Sequence, residues 1–133
     1  MNKYIINNVI LSIISLFFFQ SCVAQDNKVS IETMNIDTLP SRCEDWKIPN
    51  KENIGNIIKR MTKLSGERHE CCYNNFSCSV TGFLFFNKKK YRYTLNAGGW
   101  CMLVSMDYKV QFYLACTYKE HKKYFISTYD PPK

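Results

Sequence analysis

The sequence predicts an α+β domain: one amphipathic helix packed on an antiparallel meander of four to five strands, stabilised by disulfides. Three observations predict it. Ile54, Ile57, Ile58, Met61 and Leu64 recur at helical spacing, β-branched and aromatic runs separated by turn signals fill the chain from Cys78 onward, and six cysteines follow a leader-like start. A chain of 133 residues fits one domain. Its 46% hydrophobic content excludes a disordered chain, and five Gly with four Pro exclude collagen-like or low-complexity material. No period of 20–50 residues is visible, which argues against a solenoid.

Residues 1–24 read as a secretory signal peptide. Lys3 supplies a positive start, the run VILSIISLFFF from Val9 to Phe19 is the apolar segment, and Gln20 to Ala24 form a polar, small-residue end. A membrane-spanning helix needs about 20 apolar residues, more than this run offers. Cleavage is expected after Ala24 or before Cys22. The second cut makes Cys22 a lipid anchor. The run Phe19-Gln20-Ser21-Cys22 resembles a bacterial lipobox at Ser21 and Cys22 and departs from it at Phe19 and Gln20. The expected address is exported, in a bacterial periplasm or envelope, either soluble or lipid-anchored.

Residues 25–41 are polar, lack a sustained period and contain Pro40, so they are expected to form an arm or tether. The domain proper is expected over 42–133, with Cys43 and Trp46 marking its start. Asn50 is a good helix N-cap and Glu52 suits the positive end of the dipole. The apolar stripe extends the predicted helix to Leu64, and Gly66 supplies its stop. Strands are predicted over 78–86, 91–97, 100–106, 110–117 and 123–127.

Gly98-Gly99 reads as a two-residue hairpin turn, which sets Ala97 opposite Trp100, Leu95 opposite Met102 and Tyr93 opposite Val104. A four-residue loop at 87–90 sets Phe86 opposite Tyr91 and Leu84 opposite Tyr93. A three-residue loop at 107–109 follows. Together these place Val80, Leu84, Phe86, Tyr91, Tyr93, Leu95, Met102, Val104, Val110, Phe112 and Leu114 on the core face, under the helix stripe.

The second face then carries Phe83, Phe85, Arg92, Thr94, Asn96, Leu103, Gln111 and Tyr113. Aromatic residues and Arg are the types that anchor protein interfaces, so Phe83, Phe85, Arg92, Leu103 and Tyr113 are the candidate partner-binding residues. The competing expectation is that residues 28–48, with Trp46, fold over this face and make it ordinary packing.

The disulfide candidates are Cys43, Cys71, Cys72, Cys78, Cys101 and Cys116, an even number in an exported domain. Cys101 and Cys116 lie on neighbouring strands, but facing them would move Phe112 and Leu114 off the core, so their pairing stays open. His69, beside Cys71 and Cys72, is the only candidate for a metal ligand or a thiol base, and no second ligand pair accompanies it. His121 lies in a polar turn. No metal site, cofactor or acid/base carboxylate pair is expected.

The formal net charge is +7, and Lys3 alone of the charged residues lies in the leader. The two basic runs, 88–90 and 119–123, fall at opposite ends of a meander and do not make one track for a nucleic-acid backbone. They read either as two solvated turns or as attraction to an acidic protein partner or an anionic surface. The expected function is therefore a small exported, non-catalytic protein-binding module, an inhibitor or immunity protein against a toxin or enzyme. The alternatives are an envelope lipoprotein with a scaffolding role, and a thiol or hydrolytic enzyme using His69 with Cys71 or Cys72. No nucleic acid is expected as partner, and membrane contact only through Cys22.

Overall fold

The computed structural model describes residues 27–38, 43–65 and 74–128. Elements follow in the order β1 (Val29–Ile31), β2 (Asn35–Thr38), α1 (Lys51–Lys59), β3 (Thr62–Leu64), β4 (Cys78–Phe86), β5 (Lys89–Asn96), β6 (Trp100–Ser105), β7 (Gln111–Ala115) and a 3₁₀ helix (Lys119–Tyr124). One antiparallel sheet of seven strands, in the order β1-β4-β5-β6-β7-β3, dominates the molecule, and β2 pairs with β4 beside β1. The expected meander is present as β4 to β7. The expected count of four to five strands is too low, because β1, β2 and β3 extend its two edges.

Residues 27–38 are thus not a loose arm. Val29 and Ile31 alternate with polar residues, and β1 pairs Ile31 with Leu84 while β2 pairs Ile36 with Val80. Polar edge strands this short give a weak period-2 signal. Between them the chain bulges, and the Glu32 and Thr33 N–H groups both donate to the Phe83 carbonyl. The Thr33 carbonyl accepts from the Tyr93 hydroxyl at 3.0 Å. A Cβ on Gly82 would run into that carbonyl, so the close approach requires glycine there.

Helix α1 begins as expected: the Asn50 side chain accepts from the Asn53 N–H at 2.9 Å. It buries Ile54, Ile57 and Ile58, each contributing roughly 1.5–3 kcal/mol on leaving water. It ends at Lys59 rather than running to Leu64. The last turn tightens, with Arg60 N–H donating to Ile57 O and Met61 N–H to Ile58 O. Thr62–Leu64 then pairs with β7, Leu64 opposite Tyr113. The stripe was ambiguous, since Met61 is buried by either route and β-branched Thr62 favours a strand.

The hairpin registers differ from expectation in an instructive way. The β4–β5 turn has two residues, Asn87 and Lys88, both at positive φ, and sets Leu84 opposite Tyr91. This shifts the expected pairing by two, so every side chain keeps its face. The β5–β6 connection has three residues. Gly99 N–H donates to Asn96 O and Gly99 takes φ 83°, a turn followed by a left-handed residue. Leu95 therefore faces Cys101, and Tyr93 faces Leu103.

That one-residue shift turns β6 over. Cys101, Leu103 and Ser105 point into the core, whereas Met102 and Val104 belong to the outer face. The β6–β7 loop is also one residue longer than expected, so Cys101 faces Leu114 and Leu103 faces Phe112. The second shift cancels the first, and Phe112 and Leu114 return to the core face.

The predicted strand at 123–127 is absent. The 3₁₀ helix occupies 119–124, and the following residues cross the tip of the β5–β6 hairpin, where Ile126 N–H donates to Ala97 O. Trp46 lies in the core with α1, its indole N–H donating to Tyr124 O at 2.8 Å. Phe86 and Phe112 stand three strands apart, about 14 Å in a flat sheet. Their rings are 6.0 Å apart and both meet Tyr91, so the sheet curls, with α1 on its concave side.

A disulfide joins Cys43 to Cys78 and fixes the segment before α1 to the start of β4. Cys101 and Cys116 carry free, buried thiols. Cys116 N–H bonds Gly99 O, so the two cysteines stand diagonal across β6 and β7, about 7–8 Å apart and beyond disulfide reach. Cys71, Cys72, His69 and Cys22 lie outside the described residues.

Candidate functional site

The outer face of β4 and β5 presents Phe83, Phe85, Arg92 and Thr94, because these positions alternate with the buried Leu84, Tyr91, Tyr93 and Leu95. Residues 27–38 do not lie over it. They join the β4 edge in the plane of the sheet, and Trp46 packs on the opposite side. Phe85 is 40% exposed and Arg92 is exposed.

Cations and rings interleave on this face. The Arg92 guanidinium stands 5.7 Å from the Phe83 ring centre and 5.9 Å from that of Tyr108. Lys90 Nζ is 5.2 Å from Phe83 and 5.9 Å from Phe85, and it also pairs with Glu32 at 2.7 Å. Further along, Trp100, Leu64, Met102, Ala115 and Tyr113 form a small apolar cluster, with the Trp100 and Tyr113 rings edge-on at 6.1 Å. Gln111 donates to the Tyr113 hydroxyl at 3.0 Å.

Of the five candidate residues, the structure therefore brings Phe83, Phe85, Arg92 and Tyr113 to one face. Leu103 is corrected: it is fully buried in the core, because the three-residue β5–β6 loop turned β6 over. Val110, expected in the core, is exposed because it lies at the end of the β6–β7 loop, before β7 begins at Gln111, where the core no longer covers it. The sequence reading missed Met106 and Tyr108, which stand exposed beside it. Apolar residues alternating through a turn, as in Met106-Asp107-Tyr108-Lys109-Val110, were the available signal.

The basic runs fall where the meander puts them. Lys88, Lys89 and Lys90 stand at the β4–β5 turn, and the 3₁₀ helix follows β7 at the other end of the sheet. A groove of about 670 Å3 between β1 and α1 is lined by Lys28, Lys51 and Lys59, with Glu52 among them. Lys51 Nζ donates to Glu32 O at 2.8 Å across it.

The titrating groups are few. Burial raises the Cys101 thiol well above its ordinary value and the Cys116 thiol to about 11, so both stay protonated and unreactive at neutral pH. Burial, with the Cys101 sulfur nearby, likewise raises the Tyr93 phenol. The Ser105 hydroxyl and the Lys109 N–H hold Asp107 below the usual carboxylate range. His121 sits edge-on to Tyr118 at 5.0 Å, and Tyr118 also carries Arg60 at 4.7 Å from its centre. Burial and the Arg60 charge lower the His121 imidazole from its ordinary value.

Among the described residues no group of three His, Cys, Asp or Glu side chains is placed to hold a metal ion. No described helix is long and apolar enough to cross a membrane. No protein-family model, curated protein sequence or solved structure matches the chain.

Proposed function

We propose that this is a small exported bacterial protein that binds another protein through the outer face of β4 and β5, as an inhibitor or immunity protein acting without catalysis. The observation that carries this reading is the outer-face row of half-buried Phe83 with exposed Phe85 and Arg92, which residues 27–38 flank along the β4 edge instead of covering. Rings held under cations combine apolar area with positive charge, a composition that suits a partner offering carboxylates around an apolar patch. The Cys43–Cys78 bridge supports an oxidising compartment and hence export.

The test is capture from the exported fraction by immobilised protein, wild type against Phe85→Ala/Arg92→Ala. A stoichiometric acidic partner that the double variant loses, with an unchanged circular-dichroism spectrum and melting temperature, is the expected result. Equal capture by both proteins, or no partner at all, would sink the assignment of this face.

A further inference from the structure

The β6–β7 loop stands next to this face and has features the sheet does not require. Met106, Tyr108 and Val110 are 49%, 69% and 40% exposed, three apolar side chains on one short connection. The connection is nevertheless tightly made. Ser105 N–H donates to Val110 O at 2.8 Å, and Tyr108 N–H donates to Ser105 O at 2.9 Å. The Ser105 hydroxyl donates to Asp107 at 2.6 Å and accepts from Val110 N–H at 3.0 Å, while Lys109 N–H donates to Asp107 at 3.2 Å. The loop's one carboxylate thus braces the loop from its exposed position.

Tyr108 takes φ 59°, the left-handed region, where a bulky side chain is a genuine outlier that Gly or Asn would relieve. The fold needs the turn but not a tyrosine there. Arg92, reaching from the outer face, lies 5.9 Å from the ring centre. Lys88 and Lys89 stand on the neighbouring turn at the same end of the sheet, with Lys109 on the loop itself.

We infer that the 106–110 loop is the anchor of the protein-binding surface, a braced apolar tip at the basic end of the sheet that seats Tyr108 in an apolar pocket edged by carboxylates on the partner protein. This rests on the protein-binding reading above and adds to it the part that enters the partner. A braced, strained tip limits the entropy lost on association, which suits a shaped protein pocket more than a fluid bilayer surface. Charge complementarity decides the partner: Arg92 stands over the Tyr108 ring, Lys109 lies on the loop and Lys88 and Lys89 on the neighbouring turn, four cations at this end of the sheet against the one loop carboxylate, Asp107.

The partner recovered by the wild-type capture, once purified, is the probe. Tyr108→Gly relieves the backbone and removes the ring, so the melting temperature is expected to hold or rise while affinity falls about thirty-fold, the size of an interface hot spot. Met106→Ser is the second variant, expected to weaken binding several-fold with no change in melting. A benzophenone side chain at position 108 is expected to crosslink to that partner and to no lipid.

Undiminished affinity of both variants, with loss only in Phe85→Ala/Arg92→Ala, overturns the anchor and leaves the face. A fall in melting temperature on Tyr108→Gly of about 5 °C or more makes Tyr108 structural and overturns the inference as well. Saturable binding of wild type, but not Tyr108→Gly, to phosphatidylethanolamine–phosphatidylglycerol vesicles overturns it in favour of a membrane. Absence of any captured partner fails the binding reading itself.

Discussion

The two ends of the sheet are built from the same device, a β-hairpin, and put it to opposite use. At one end Ala97, Gly98 and Gly99 are buried, pressed between residues 74–76 and 125–128. Asn96 ties that end together: its amide oxygen accepts from Gly98 and Phe76 N–H, and its amide nitrogen donates to Phe76 O. Trp100 donates to Asn74 O from the same side, and Trp46 and the Cys43–Cys78 bridge lie at this end too. At the other end the Asn87-Lys88 turn and the 106–110 loop stand in solvent. Glycines serve the closed end because neighbouring backbone must approach, as Asn74 O approaches Gly98. At the open end the left-handed positions carry Asn87, Lys88 and Tyr108, all exposed, with the Asn87 amide oxygen accepting from Lys28 N–H. Stability is concentrated where the chain is covered, and unusual residues stand where it is not.

The largest expected effect breaks the closed end. Trp46→Ala removes a buried indole and leaves Tyr124 O without its donor, and about 3–5 kcal/mol of unfolding free energy is expected to go, read by urea titration. A domain of this size has little more to lose. Next, Cys43→Ser/Cys78→Ser opens a loop with a sequence separation of 35 and is expected to cost roughly 2–4 kcal/mol. The same measurement after reduction of the wild type should match it.

Asn96→Ala is expected to cost about 1–3 kcal/mol, because it strands the Phe76 and Gly98 backbone groups inside the clasp. Hydrogen exchange should then quicken at 97–99 before it does in β4. The smallest effect concerns pH. His121 titrates below its ordinary value in the folded protein, so folding favours the neutral ring. The stability it contributes is complete above the ordinary histidine value of about 6.5 and declines as pH falls through the lower folded value. A His121→Phe variant should flatten that part of the melting-temperature profile, and an unchanged profile would show that the Arg60–Tyr118–His121 cluster does not hold the 3₁₀ helix.

How much of this was legible follows from the arithmetic of alternation. Leu84, Tyr91, Tyr93 and Leu95 were placed correctly although the β4–β5 loop length was not, since an error of two preserves face. Phe112 and Leu114 were placed correctly because two errors of one cancel. Leu103 and Met102 sit between those errors and exchanged faces. Gly98-Gly99 suggested a two-residue turn, while the hydrogen bond from Gly99 to Asn96 that makes it three is invisible without the strand it closes. β1 and β2 escaped notice because an edge needs few apolar residues. The outer face was readable as a composition, aromatic with Arg, but its exposure depended on where residues 27–38 went.

The bridge between Cys43 and Cys78 encloses α1 and β3 in a covalent ring. One proteolytic cut anywhere within that ring leaves a single molecule, since the severed ends are still joined through sulfur. A cut in the Asn87-Lys88 turn or in the 106–110 loop instead parts the chain in two. Under proteolysis, the covalently tolerant half of the molecule is its helix-bearing half, and the open hairpin end is where one hydrolysed peptide bond leaves two chains.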